Sequence, residues 1–383
     1  MGLDSNFLEE IVNFRKQLHS FPELSGNEKN TSNSVALILA KTKPSELIRN
    51  IGGYGIAAIY DSGKTGPTIL FRADLDALPI QESNAFAYRS KNDGIAHLCG
   101  HDGHSAILVG MAKVLDKERP KKGRVVLLFQ PAEETGQGAK KVINDKLFLK
   151  IMPDFVFALH NLPGFEKGSV CIKDGSFASA STGVIIQLKG LSSHAAHPED
   201  GKNPDLLLAD LIIQLNEINN NKNLVKDFAL LTVIHARLGE QAFGTSPGNA
   251  VLMATIRASR NEDMLRIREQ IEKTVEQNSN AFKIKYAISY TEEFPATINN
   301  AKCTEIIMKA ALANSIPLKT LASPFRWSED FGHFTQSYNA ALFGIGSGIG
   351  HPQLHNEHYD FPDEIIEPAI LIYKGILKEL GVL

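Results

Sequence analysis

Two adjacent acids, Glu133 and Glu134, close the apolar run Val125-Val126-Leu127-Leu128-Phe129-Gln130-Pro131-Ala132. Two like charges side by side are costly unless a positive group offsets them. A metal ion can do so, leaving one carboxylate to ligate and the other to move protons. The plain alternative is a solvated acidic loop, since charged side chains are mostly exposed. Other acids and histidines weigh against that alternative. Pro67 to Ala73 reads as a buried strand running into Asp74-Leu75-Asp76. A one-residue gap in extended chain puts both carboxylates on one side. Pro153 to Leu159 reads as another, ending in His160-Asn161, and Asn339 to Gly346 as a third, followed by His351, His355 and His358. The densest group is His97-Leu98-Cys99-Gly100-His101-Asp102-Gly103-His104. Thiol, imidazole and carboxylate are transition-metal ligands, and nitrogen–sulfur sets suit zinc.

The elements that must position these residues follow from periodicity. Ile107, Leu108, Met111, Val114 and Leu115 fall on one helical face directly after the Cys/His cluster, so the cluster enters a helix at its amino end. Four strands that deliver Asp, Glu or His at the same relative place imply one shared rim, the usual ligand site of an open α/β sheet. Helices are expected at Phe7 to Leu18 and Thr31 to Ala40, and strands at Gly55 to Tyr60 and Thr68 to Ala73. Alternation of strand and helix then continues to about Asp174, which is α/β logic. From Ser181 the texture changes to strand (Thr182 to Lys189), helix (Pro204 to Ile218) and strand (Ala229 to Arg237). A second set follows, with strand (Ala250 to Ala258), helix (Glu262 to Gln277) and strand (Phe282 to Tyr290). That order is the split β-α-β, ferredoxin-like signature. The expected division is 1–180 with 291–383 as one α/β domain and 181–290 as a smaller α+β domain inserted into it.

Composition excludes several classes. A chain of 383 residues exceeds one ordinary core. A net charge of −3 offers no basic field for nucleic acid. No apolar run reaches membrane-spanning length. The amino end has no signal-peptide pattern, and Asn6 stands where an N-myristoylation motif at Gly2 requires Ser or Thr. Three cysteines, Cys99, Cys171 and Cys303, make no disulfide framework, so a cytoplasmic location is expected. Low-complexity sequence is limited to Asn219-Asn220-Asn221.

Seven short pieces, in order along the chain, resemble one family. They are Arg72-Ala73-Asp74-Leu75-Asp76-Ala77-Leu78-Pro79, Cys99-Gly100-His101-Asp102-Gly103-His104, Gln130-Pro131-Ala132-Glu133-Glu134 and His160-Asn161. Ser193-His194-Ala195-Ala196-His197-Pro198, Ser328-Glu329-Asp330-Phe331 and Leu354-His355-Asn356 complete the set. Together they resemble the dinuclear-metal amidohydrolases that include hippurate hydrolase, N-acyl-amino-acid amidohydrolases and auxin-conjugate hydrolases. The resemblance implies a large mixed-sheet, zinc-exopeptidase-like catalytic domain with a ferredoxin-like lid and dimerisation domain. It implies two divalent ions per chain, zinc or manganese, with cobalt and nickel as further options. The implied ligands are Cys99, His101, Glu134, His160 and His355, with Glu133 as general base and acid. Asp76 would support the metal site from behind its ligands. His194 would stabilise the oxyanion, from its own chain or across a homodimer through the lid domain.

Arg257 closes a strand of the inserted domain, where a guanidinium can hold a substrate carboxylate by a bidentate pair. The implied substrate is a small molecule, an N-acyl-L-amino acid or similar conjugate; a dipeptidase or carboxypeptidase with the same machinery is the alternative. A non-catalytic metal-binding protein is the alternative from another class. Glu133 speaks against it, because a binder needs no second carboxylate beside the ligand Glu134. A structural zinc site is disfavoured because the five donors spread over about 250 residues rather than clustering. One departure stands out. Relatives carry Asn-Val-Ile-Pro where this chain has Gly244-Thr245-Ser246-Pro247, so Gly244 replaces an amide that could hold substrate.

Overall fold

The computed structural model describes residues 3–220 and 224–383, so the readings at Gly2 and Asn221 fall outside it. The chain divides into two compact units. One comprises 1–177, 297–324 and 330–383; the other comprises 178–296 and 325–329. The short return at 325–329 was not anticipated, because a five-residue excursion carries no compositional signal.

In the first unit, eight strands form one sheet. Its order is Glu46–Ile51, Gly55–Asp61, Arg124–Gln130, Thr68–Asp74, Phe155–Pro163, Asn339–Gly348, Val170–Ile172 and Leu318–Thr320. The middle four run parallel, Arg124–Gln130 beside Thr68–Asp74, then Phe155–Pro163, then Asn339–Gly348. Their side chains are almost wholly buried. A parallel sheet covered on both faces requires such unbroken apolar runs. Because the strands are parallel, their carboxyl ends share one rim, as the sequence implied.

Helices supply the cover. Ser5–Ser20 begins at Asp4, whose carboxylate accepts the N–H groups of Asn6 and Phe7. It packs on His101–Lys117, which also packs on Ile366–Glu379. Ile11, Leu108, Met111, Ile370 and Tyr373 belong to the resulting core.

Two local differences from the sequence reading have plain causes. Phe155–Pro163 continues through His160 and Asn161 instead of ending before them. Polar residues in a buried strand read as a terminus when their partners, on distant elements, are unknown. Glu46–Ile51 is an edge strand whose exposed positions mask its pattern.

The second unit has its own sheet, ordered Ala229–Leu238, Asn249–Ala258, Ala180–Lys189 and Lys285–Phe294, all antiparallel. Helices Asp205–Glu217 and Asn261–Phe282 pack against it and each other. Leu188, Leu211, Leu252, Ile256 and Ile267 sit in its core. Burial alternates strictly along Asn249–Ala258, as expected for a sheet with one covered face. Order and directions are those of the ferredoxin-like arrangement. Among the described residues, no helix is long and apolar enough to cross a membrane.

Candidate metal centre

The rim of the parallel strands gathers the predicted donors of the first unit. Ligand atoms of Cys99, His101 and His160 lie within 4.8 Å of one another. The same holds for Cys99, Glu134 and His355, and for His101, Glu133 and Glu134. These groups share members, so all five predicted ligands and Glu133 form one continuous cluster. Cys99 Sγ is 3.6 Å from His160 Nε2. Glu134 Oε1 is 3.8 Å from His101 Nε2 and 3.9 Å from His355 Nε2.

Local structure aims each side chain. Gly100, at φ 98°, turns the chain into helix His101–Lys117, and a Cβ there would meet Asn161 Oδ1 at 2.3 Å. Only glycine tolerates both demands. His101, in the first helical turn, bonds through Nδ1 to the Asp76 carbonyl oxygen at 2.9 Å, which turns Nε2 into the cluster. His160 bonds through Nδ1 to the Asn161 carbonyl oxygen at 2.8 Å, leaving Nε2 facing Cys99. Metal-ligating histidines are oriented in this way by a bond at the other ring nitrogen. His355 adopts a left-handed φ of 66°, and its N–H donates to the Leu98 carbonyl, tying its loop to the cysteine segment.

Asp76 acts on backbone. Its Oδ1 accepts from Glu133 N–H at 3.1 Å, and its Oδ2 accepts from Glu134 N–H at 3.0 Å and from Ser25 Oγ at 2.6 Å. It therefore fixes the acidic pair and, through its carbonyl, His101. Asp74 accepts from Arg72 at 2.7 Å and bonds His104 Nδ1 at 2.7 Å, while His104 Nε2 meets Asn161 Oδ1 at 2.5 Å. Both nitrogens of His104 are thus engaged, which separates it from the ligands. His97 is buried, and its neutral form is favoured because burial pushes its pKa down to about 4. His351 bonds the Asp360 carbonyl, and His358 is exposed beside Glu357.

A second buried network escaped the sequence reading although its residues sit in the motifs. Arg72 donates to Gln130 at 2.9 Å and to Asp330 at 2.7 Å as well as to Asp74. Asp330 also accepts from Gln130 Nε2 and from Ala139 N–H. Its own N–H donates to Glu133 Oε1 at 3.2 Å. The general-base candidate is therefore held at backbone by Asp76 and at side chain by Asp330. A buried arginine this well paired avoids the penalty of an isolated charge. Only its spacing from Asp74 was visible in the sequence.

The donors fit a metal. The buried atoms His101 Nε2 and Glu134 Oε1 have no hydrogen-bond partner, and such orphans need an explanation. Burial pushes the Glu134 carboxyl up to about 7, with Asp76 and Asp74 adding to the rise. Burial likewise raises the Cys99 thiol well above its ordinary value. Burial works against a charged His101, yet Asp74, Cys99 and Asp76 hold its pKa well above the ordinary range. Burial penalises the charged forms of Glu134 and Cys99, and a bound cation would offset that penalty.

Residues 70–379 match the model of peptidase family M20/M25/M40. The chain belongs to that family. A Staphylococcus epidermidis relative, named only as an uncharacterized hydrolase, is 31% identical, the match covering 97% of this chain and 98% of that protein. Among solved structures, the Bacillus subtilis YxeP protein, a dinuclear metal binding peptidase from the M20 family, aligns with TM-score 0.85 at 24% identity over the full length of both chains. The aminobenzoyl-glutamate utilization protein of Klebsiella pneumoniae aligns with TM-score 0.73 at 20% identity, covering 98% and 97%. The motif resemblance and the fold thus converge on an M20 hydrolase.

His194 and Arg257 belong to the second unit of this M20 chain. His194 is exposed on a two-residue strand paired with Thr245–Ser246. Its Nδ1 accepts the Ala196 N–H at 3.0 Å, so in the neutral ring the proton sits on Nε2. Gly244 accepts the Ala195 N–H at 3.0 Å, and a Cβ at 244 would meet nothing within 4 Å. Arg257 Nη1 donates to the Arg326 carbonyl and to Ser328 Oγ, both at 3.1 Å. Part of its fork is therefore engaged within its own unit.

Proposed function

We propose that this chain is a metal-dependent amidohydrolase that cleaves the acyl–nitrogen bond of N-acyl-L-amino acids or similar conjugates. The observation that carries the reading is the pairing of Glu133 and Glu134. Glu134 meets the thiol and imidazoles, whereas buried Glu133 is held at Oε1 by the Asp330 N–H and has Oε2 3.9 Å from His101 Nε2. This difference in surroundings supports Glu134 as the ligand and Glu133 as the proton carrier.

Two divalent ions, when bound, would polarise the amide carbonyl and acidify a water. Cys99, His101, Glu134, His160 and His355 would hold them. The thiol favours zinc, and manganese suits the remaining imidazole and carboxylate donors. Glu133 takes the proton of the attacking water and returns it to the departing nitrogen, the step that lets a poor leaving group go. Asp76 and Asp330 keep that carboxylate in place. His194, with its proton on Nε2, serves as the hydrogen-bond donor to the oxyanion. The part of the Arg257 fork left over from Arg326 and Ser328 receives the substrate carboxylate. Homodimerisation through the second unit and a cytoplasmic location complete the proposal, the latter in keeping with three buried free cysteines.

The test is amine release from a panel of N-acetyl and N-benzoyl amino acids and dipeptides. Protein is stripped with chelator and repleted separately with zinc and manganese. Metal-restored cleavage of acyl amino acids is expected. Preference for dipeptides would replace the substrate assignment, and silence from folded, metal-loaded protein across the panel would overturn the hydrolytic one.

A further inference from the structure

We propose that Glu28 is a positioning residue for the turn that carries Glu133 and Glu134. The inference rests on the roles just assigned to those two acids. Glu28 directly precedes helix Lys29–Lys41 and is 0% exposed. A residue at that position ordinarily caps its helix through its side chain. Glu28 makes no such bond. Its Oε1 instead accepts two N–H groups, from Gly26 at 2.7 Å and from Ala132 at 2.9 Å. Ala132 lies 104 positions away in sequence, immediately before the acidic pair.

Ala132 has a left-handed φ of 54°, a conformation that residues with a Cβ seldom adopt without support. That twist directs three successive N–H groups onto two buried carboxylates. Ala132 donates to Glu28, whereas Glu133 and Glu134 donate to the two oxygens of Asp76. Runs of backbone N–H around a left-handed residue form anion-binding concavities. Here the concavity clasps side chains, and the clasp fixes where the next two side chains project. The Ala132 carbonyl is held by the Gly138 N–H at 3.0 Å, but Asp76 leaves the Ala132 N–H unpaired. Glu28 closes that gap.

Its remaining oxygen, Oε2, is buried without a hydrogen-bond partner. Burial raises the Glu28 pKa, and the charge of Asp76 adds to the rise. A buried acid with an unsatisfied oxygen is poor material for stability alone, which leaves geometry at the turn as its use.

The experiment compares Glu28→Ala, Glu28→Asp and Glu28→Gln with Glu23→Ala. Glu23 braces the same segment through Thr31 N–H at 2.8 Å and Thr31 Oγ1 at 2.9 Å, with no bond to the catalytic turn. Zinc affinity is read by chelator competition, the ligand field by the visible absorption of the cobalt(II) form, and folding by Tm. Glu28→Ala and the too-short Glu28→Asp are expected to loosen zinc about 10- to 100-fold and to alter the cobalt spectrum, the usual scale for partners behind a ligand. Glu28→Gln retains an acceptor and should rescue both readouts. Glu23→Ala should lower Tm while leaving affinity and spectrum as in wild type.

Unchanged affinity and spectrum in Glu28→Asp would overturn the proposal, even if Glu28→Ala did not fold. Failure of Glu28→Gln to rescue would also overturn it, as would an equal loss in Glu23→Ala. A wild-type chain that takes up metal but cleaves nothing defeats the hydrolase reading and leaves this test intact. One that takes up no metal defeats both.

Discussion

Glu133 is the residue whose surroundings say most about its work. Its N–H is held by Asp76, its Oε1 by the Asp330 N–H, and its other oxygen stands 3.9 Å from a histidine ring nitrogen. A side chain restrained at both ends cannot wander to solvent, and a proton carrier needs that restraint. Glu133→Gln keeps the shape and removes the base. Turnover should fall by about 10²- to 10⁴-fold, with metal content unchanged, because Glu134 and the other donors are untouched. Assay of turnover beside metal analysis checks this. Loss of metal in step with activity would make Glu133 a ligand instead.

At the scale of elements, helix His101–Lys117 carries the site and two devices fix its first turn. The first is close packing. A Cβ at Gly103 would meet the Phe361 ring at 2.2 Å. Gly103→Ala should therefore displace the ring or the turn, costing about 1–3 kcal/mol as overpacking does, and should weaken metal binding through His101. Thermal unfolding and chelator competition report the two effects; full stability and affinity would mean that the ring yields freely.

The second device is a buried latch to helix Ser5–Ser20. Arg15 bonds Asp102, Asp360 and Asp363, and His19 bonds Asp102 at 2.8 Å and Glu82 at 3.1 Å. Burial disfavours a charged His19, but Asp102 and Glu82 outweigh it and raise the pKa to about 9. The folded value lies above the unfolded one, so the latch contributes fully below about pH 6.5 and is lost as pH rises through about 9. The fading contribution is on the order of 3 kcal/mol. In chelated protein, unfolding free energy should fall between these pH values, and His19→Gln should flatten the fall. Parallel profiles for the two proteins would refute the latch.

For the whole molecule, the division into two units makes a prediction about dispensability. Strands Gly175–Ala178 and Thr297–Asn299 pair, so the chain leaves the first unit and re-enters it at neighbouring points. All five proposed ligands and Glu133 lie in the first unit. Replacing residues 179–296 by a short Gly/Ser linker should leave a folded protein that binds zinc, because the large core is intact and a short loop costs little to close. The same protein should not turn over substrate if His194 and Arg257 have their proposed roles. Circular dichroism, zinc titration and the amine-release assay decide; retained turnover would remove both residues from the mechanism.

Much of this was written in the sequence because it depends on local chemistry. Apolar runs ending in acids or histidines gave the parallel strands and their common rim, since buried strands must be apolar and their exits need not be. The β-α-β-β-α-β order marked the smaller unit, since periodicity reports which faces are covered. The Cys99-Gly100-His101 segment declared its candidate donors and the glycine that turns them inward. The remainder depended on distance in space between residues far apart in the chain. Nothing near Glu28 announces that it holds Ala132, nothing near Arg72 announces Asp330, and no pattern shows that helix Ser5–Ser20 locks helix His101–Lys117 through His19 and Asp102. Which side chains could do chemistry is a property of residue type and spacing. How they are oriented is decided by buried hydrogen bonds that exist only once the sheet has brought the segments together.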